Sequence, residues 1–353
     1  MLYWFSMVAA IFAVLLLILS ISGVFSNTDH ELEQALDIQL KNVEGSIAAQ
    51  MDTLAAQSLM LSEKATRQII EKLPDRTGSF EQLNNRPELL LELQRTLYST
   101  LNTTLQVCDC SGAFLVLDAT TNTKSDIASS SRTGLYLRFF NLSSKKSAQK
   151  EVVYFRGIPD IAREEKLELH NRWNLEFNID RLPGYRALMN SSVNRLGDSY
   201  WWTEKLKLFD TWEDAILLCM PVLDGAGKPS GICGVEISAL YFNFSYPCIQ
   251  SQFGSMISVI APVENGRLKL SSGLAGGIQE AYLDDFEDLT IHKGKYYNTY
   301  TTDSATYVGF QQSLALPLID GQTWAAAILV PQSSFLEYTA AKKAVWILSL
   351  IHI

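Results

Sequence analysis

The stretch "CMPVLDGAGKPSGICGVEISALYF", Cys219 to Phe242, decides how the chain is read. Gly225, Gly227, Lys228 and Ser230 raise the question of a phosphate-binding loop. Such a loop needs G-x-x-x-x-G-K-[ST] between a strand and a helix. Here the residue five before Gly227 is Val222, and Pro229 follows the lysine. That proline removes an N–H from any phosphate nest, and the run after it is strand-like rather than helical. The glycines are therefore turn residues of a β-hairpin. Strict alternation along "GVEIS" puts Val235 and Ile237 on one face and Glu236 on the other. Glu236 then faces either a ligand or solvent.

Working outward, the bulk properties limit the options. The chain has 353 residues and a net charge of −9 spread without a long basic run. Nucleic-acid binding, which needs clustered Lys and Arg against phosphates, is excluded for this region. The five cysteines, Cys108, Cys110, Cys219, Cys233 and Cys248, are too few and too odd in number for a disulfide scaffold. Cys108 and Cys110 lack the spacing of a zinc or redox pair. Cys219 and Cys233 flank the hairpin turn and either bridge across it or stay as buried thiols.

The ends of the chain are apolar. No charge occurs before Asp29, and the apolar run from Leu2 to about Phe25 exceeds the ~20 residues that span a bilayer. It predicts a transmembrane helix at 1–26 rather than a cleaved signal peptide. No Lys or Arg precedes it to set its orientation. From Ala344 to Ile353 the chain turns apolar again, which predicts the start of a truncated second transmembrane helix at 338–353. The lipid bilayer is thus an expected partner, with the residues between the two spans forming a large loop on one side of it.

Between these ends, Leu36, Leu40, Val43, Ile47, Met51, Leu54, Leu61, Ala65 and Ile69 form one apolar stripe, with Ser58 as a gap. They predict a long amphipathic helix at 27–75, a rod of about 65 Å that also suits homodimerisation. A second helix is expected over Arg86–Val107. Short runs such as "GAFLVLDATT", "GLYLRFFNL" and "KEVVYFRG" then read as strands, followed by a mixed region and by "WWTEKLKLF", "WEDAILLCMPVL" and "GICGVEISALYF". A second strand series starts near Gly254 and contains the hairpin turn "ENGR". The expected plan is α+β: the long helix, one antiparallel-sheet unit at 76–250, a second at 251–337, and transmembrane helices on both sides.

Five large aromatics, Trp173, Tyr185, Tyr200, Trp201 and Trp202, fall within thirty residues. Aromatic walls with a few charges suit a small-molecule pocket, while core packing uses the same residues. On a strand, Trp201 and Trp202 point to opposite faces. Enzyme signatures are weak: His30, His170, His292 and His352 show no metal spacing, neither H-E-x-x-H nor G-x-S-x-G occurs, and the plentiful carboxylates leave a glycosidase-like pair open without selecting one. No cofactor is expected. The acidic run "YLDDFEDL", Tyr282 to Leu289, lacks the regular spacing of a calcium loop and reads as a solvated face.

In plan and in the hairpin motif, the sequence resembles the double Cache domain, a PAS-like extracytoplasmic sensor of bacterial receptors. Pro221 and Val222, Asp224, Gly227, Gly234, Val235 and Ile237 fill that family's hairpin frame. The resemblance implies two PAS-like units and a small-molecule ligand in the first, held by Trp201 and Trp202, Asp210 and Glu236. Ser199 stands where the family has the arginine that clamps a carboxylate. Arg172 and Arg186 are the candidates to replace it. It also implies a cytoplasmic output module outside this chain: an AraC-type regulator, a histidine kinase, a diguanylate cyclase or a chemotaxis signalling domain. The rival expectation is a membrane-anchored extracellular hydrolase.

Overall fold

The computed structural model describes residues 2–21, 27–73, 79–142, 151–209, 211–277, 287–317 and 322–351, with the backbone alone at 2, 9, 15–21, 27, 346–347 and 349–351. The helices are α1 Leu2–Ile21, α2 Asn27–Lys72, α3 Pro87–Val107, α4 Pro159–Glu164, α5 Tyr185–Met189, α6 Ala239–Ser245 and α7 Gln332–Ile351. The strands of the first half are β1 Gly112–Leu117, β2 Ser131–Arg132, β3 Gly134–Phe139, β4 Val152–Arg156, β5 Glu168–Asn174, β6 Phe177–Asn178, β7 Trp201–Trp202, β8 Leu206–Lys207, β9 Asp214–Leu223 and β10 Pro229–Ser238. Those of the second half are β11 Ile249–Ser251, β12 Gly254–Glu264, β13 Arg267–Leu268, β14 Leu274–Gly276, β15 Leu289–His292, β16 Asn298–Thr301, β17 Thr306–Leu314 and β18 Trp324–Pro331.

The result is an α+β chain with a long helix and two sheets. The first sheet runs β5-β4-β3-β1-β10-β9-β7, with β8 also paired to β9. All its pairings are antiparallel except β4 with β5. The second runs β11-β12-β13-β15-β16-β17-β18, and β12 also pairs with β18 and β14. Its "ENGR" turn is made by Asn265 and Gly266, with φ of 50° and 74°, the left-handed geometry that a tight hairpin turn requires.

Helix α2 has 46 residues, about 70 Å at 1.5 Å per residue. Its apolar stripe from Leu32 to Ile69 is buried in one core that also takes in α3 and the α2-facing side chains of both sheets. The gap in the stripe has a specific use. Ser58 and Ser62 are fully buried. The Ser58 carbonyl accepts from Cys233 Sγ (3.8 Å), Ser62 Oγ donates to the Pro221 carbonyl (2.5 Å), and Thr66 Oγ1 accepts from the Leu223 N–H (3.2 Å). Small polar residues every fourth position let α2 lie directly on the β9–β10 hairpin. At its other end α2 is tied to the second half: Lys342 of α7 reaches Glu31 (2.5 Å), and the Tyr297 hydroxyl donates to Asp29 (3.0 Å).

The hairpin has the expected form. Asp224 Oδ1 accepts from the N–H groups of Ala226 and Lys228 (both 2.9 Å), and Gly227 takes a φ of 79°. Cys219 and Cys233 do not face each other: Cys233 lies opposite Met220 and Cys219 opposite Gly234, and their side chains point into different cores. All five cysteines are free thiols, and burial pushes the thiols of Cys219 and Cys233 well up. Of the acidic run "YLDDFEDL", residues 282–286 lie outside the described residues.

Gly234 is the tightest point of the hairpin, because a Cβ there would sit 1.7 Å from the Leu218 carbonyl oxygen. Gly234→Ala is expected to destabilise the chain by about 3 kcal/mol or more, since a backbone atom rather than a side chain must yield. Denaturant titration of the two proteins measures it; an unchanged midpoint would contradict this packing.

Candidate functional site

Alternation in the first sheet sends Leu115, Leu137, Leu218 and Val235 toward α2, and Phe114, Val116, Tyr136, Leu217 and Ile232 to the opposite, far face. The far face is covered by Phe177, Ile179, Leu182, Tyr185, Leu188, Leu208 and Phe209, which arrive from β6, α5 and the segments around them. Tyr136 is the hub of this layer. Its ring meets Phe155 edge-on at 5.1 Å, stacks with Phe177 at 6.1 Å and meets Phe209 edge-on at 6.3 Å.

Glu236 falls on this same face and is fully buried, which overturns the solvent-facing alternative. Its carboxylate accepts from Arg138 Nε (2.9 Å), Arg138 Nη2 (3.0 Å), Ser111 Oγ (2.7 Å) and the Tyr136 hydroxyl. Arg138 also donates to Glu213. Burial works against the arginine's charge, but Glu236, Tyr136 and Glu213 outweigh it and hold its pKa above the ordinary value. Burial, and next the Glu236 charge, push the Tyr136 phenol well up, so it stays a donor. The network is a closed buried ion pair with its hydrogen bonds met.

Beside it the far face opens into a cavity of about 190 Å³ lined by Arg156, Glu176, Ser131, Asn174, Asn178, Phe177 and Phe209, among others. Arg156 is buried and lies 4.4 Å over the Phe155 ring. Its Nη1 donates to the carbonyls of Phe155 (2.8 Å) and Arg172 (2.7 Å). Glu176 accepts from the Thr121 N–H (2.7 Å), Thr120 Oγ1 (3.0 Å) and Ser131 Oγ. A cation, an anion, amides and two aromatic rings around one small void are the composition of a selective small-molecule site.

The expected site residues are dispersed by this architecture. Tyr185 and Trp201 join the far-face layer. The Tyr185 hydroxyl donates to Asp118 (3.2 Å), and burial pushes its pKa up. Trp201 is 7% exposed, and its Nε1–H is buried with no hydrogen-bond partner among the described residues. Trp202 points the other way, into the α2 core. Its backbone N–H donates to the Pro317 carbonyl of the second half (2.9 Å), and Lys205 N–H to that of Ser272 (3.0 Å). Trp173 and Tyr200 are half-buried against the α2 core, with Trp173 Nε1 donating to the Gly157 carbonyl (3.1 Å). Asp210 lies outside the described residues. Arg186 is occupied by Asp180 (2.6 Å).

Arg138, Arg156, Glu213 and Glu176 were not singled out by the sequence reading. The available signal was an arginine inside an apolar strand run, in "GLYLRFF" and again in "VVYFRG". A charge buried in a strand demands a partner.

Comparison with solved structures fits this geometry. No family model matches the chain, and no curated protein matches it in sequence. Among solved structures, "Methyl-accepting Chemotaxis protein X" aligns over 86% of this chain and 99% of its own at 11% identity, with a TM-score of 0.51. The extracellular domain of the putative histidine kinase soHK1S-Z6 aligns over 89% of this chain and 98% of its own at 12% identity, TM-score 0.49. The periplasmic sensory domain of the Campylobacter jejuni chemoreceptor Tlp1 aligns over 86% and 98% at 11% identity, TM-score 0.45. At these identities the likeness is one of fold. Over most of its length the chain has the double Cache fold of receptor sensory domains.

Two outcomes are expected from this site. Arg138→Met, which strands Glu236 in the interior, should cost about 3–5 kcal/mol, and adding Glu236→Gln should recover part of that in a double-mutant cycle. Additive losses would mean the pair is not coupled. His170 packs edge-on to Phe155 at 4.7 Å, and partial burial, then Arg138, lower its pKa, with Glu213 opposing. The unfolded chain then binds the His170 proton more readily, so stability is lost as pH falls below about 6.5 toward the folded-state value. His170→Gln should flatten that part of a melting-temperature-against-pH curve.

Proposed function

We propose that the chain is the extracytoplasmic ligand-sensing region of a two-span membrane receptor. It holds a small molecule on the far face of the first sheet and does no catalysis itself. The observation that carries this reading is the buried, unpartnered indole N–H of Trp201 on the same face as the 190 Å³ cavity. A buried donor without a partner is rare in a folded protein and is a natural place for a ligand acceptor. The Arg138–Glu236 pair sets the floor of the layer, and Tyr185 and the cavity residues complete its walls. Because Glu236 already has its cation, it supports the site rather than gripping a ligand amine.

The division at residues 76–250 and 251–337 and the flanking membrane segments belong to this proposal. Among the described residues no helix is long and apolar enough to cross a membrane. The support is in the sequence: residues 2–25 carry no charge, and of their described side chains Tyr3, Trp4, Phe5, Met7, Val8, Ile11 and Val14 are exposed. Pairing with a second copy is supported by exposed Ile38, Gly45, Ala56 and Met60 along one line of α2. Ligand binding favours one arrangement of the first sheet against α2, and differential affinity for the two arrangements sets the signal passed to an output module.

A thermal-shift screen of the full chain in mild detergent with organic acids, sugars, peptides and amines should yield a stabilising hit. Trp201→Phe should keep the fold and weaken that hit about three- to tenfold, the worth of one hydrogen bond. Equal affinity in the variant would remove Trp201 from the site. Deleting residues 1–26 and 338–353 should move the chain from a carbonate-washed membrane pellet to the supernatant.

A further inference from the structure

A second cavity lies between α2, the α3–β1 turn and α6, the helix that leads out of the first half. It has a volume of about 480 Å³ and is built by Gln50 and Leu54 of α2, Asp109 of the α3–β1 turn, and Tyr241, Ser245 and Tyr246 at α6. Gln50 fixes its shape. Its Nε2 donates to the Asp109 carbonyl (2.7 Å), and its Oε1 accepts from the Tyr246 hydroxyl (2.8 Å). Both ends of one amide are thereby used to hold three elements together. Asp109 is itself held by its neighbours: Cys108 and Cys110 are buried on either side, and the Cys110 N–H donates to the Cys108 carbonyl (3.0 Å).

The chemistry of this void is one-sided. No lysine or arginine lines it. The Asp109 carboxylate is exposed, and among the described residues no hydrogen bond or ion pair engages it. The two phenols are mostly buried, and after burial the Asp109 charge adds to the upward push on both, so they remain protonated. An unpaired carboxylate, two aromatic rings and the apolar edge of Leu54 suit a positive charge on a small organic body. An ammonium gains charge-assisted hydrogen bonds and ring faces there, while an anion meets the Asp109 charge and no cation.

We propose that this cavity is a second ligand site, separate from the one on the far face, and that it takes a small organic amine. Its place in the chain gives it a role. Helix α6 runs from β10 of the first sheet to β11 of the second, and Asn243 Oδ1 accepts from the Gly277 N–H of the second half (2.9 Å). An amine between Asp109 and α6 therefore fixes the linker against α2, whatever occupies the far face.

The test is calorimetric titration of the full chain in mild detergent with 2-phenylethylamine, putrescine and ethanolamine, and with 3-phenylpropanoate as the charge-reversed match. At least one amine should bind saturably and the acid should not. Asp109→Asn should weaken the amine about tenfold or more, the loss of one charge-assisted contact. Ser245→Phe, at an exposed position, should block the cavity, while Trp201→Phe should leave amine binding unchanged. No binding by any of the three amines, equal binding of the acid, or an affinity indifferent to both Asp109→Asn and Ser245→Phe overturns the proposal. Loss of amine binding in Trp201→Phe alone would place the amine on the far face and overturn it equally. Circular dichroism melts of each variant separate lost binding from lost folding.

Discussion

Burial of a single face of α2 along its whole length is the constraint on which the remainder of the structure depends. From Leu32 to Ile69 that face lies in a core shared with side chains of both sheets. Neither sheet covers its α2-facing side without the helix. A surface helix of this length has little stability from propensity alone, so most of what holds it comes from packing. The packing is close because Ser58, Ser62 and Thr66 are small and polar where the β9–β10 hairpin crosses. A leucine at any of these positions would hold helix and hairpin apart.

A second constraint acts on the other side of the first sheet. Placing Arg138 and Glu236 in the interior removes two charges from water, which is tolerable only when each meets the other and every remaining lone pair is used. Ser111, Tyr136 and Glu213 do that work. The same requirement fixes register. A slip of one residue between β1 and either neighbour would carry Arg138 or Glu236 into the α2 core.

How much of this is legible in the sequence depends on the distance over which residues cooperate. The stripe of α2, the hairpin turn at Asp224–Lys228 and the opposite facing of Trp201 and Trp202 are local patterns, and all appear as expected. The parity of Glu236 was readable, but its surroundings were not. Arg138 is separated from it by 98 residues, and nothing in either segment names the partner. Strand β5 was hidden for a related reason. Its residues Glu168–Asn174 are mostly exposed and polar, so they carry no apolar alternation, and they pair in parallel with β4. The cavity beside Arg156 is assembled from four separate stretches, around residues 127–131, 156, 174–181 and 209, and no single one of them has the composition of a binding loop.

The two-residue strand Trp201–Trp202 has a mechanical consequence. One side chain is embedded in the far-face layer, and the next residue's amide is bonded to Pro317 in the second half. A longer strand would spread a displacement over many rungs of its ladder. Here two rungs on β9 act as a fulcrum, and the arm on either side is one residue long. The Trp201 ring in the far-face layer and the amide bonded to Pro317 of the second half are therefore on adjacent residues, with no intervening turn or loop. The halves of this molecule are joined by main-chain hydrogen bonds at that point, not merely packed.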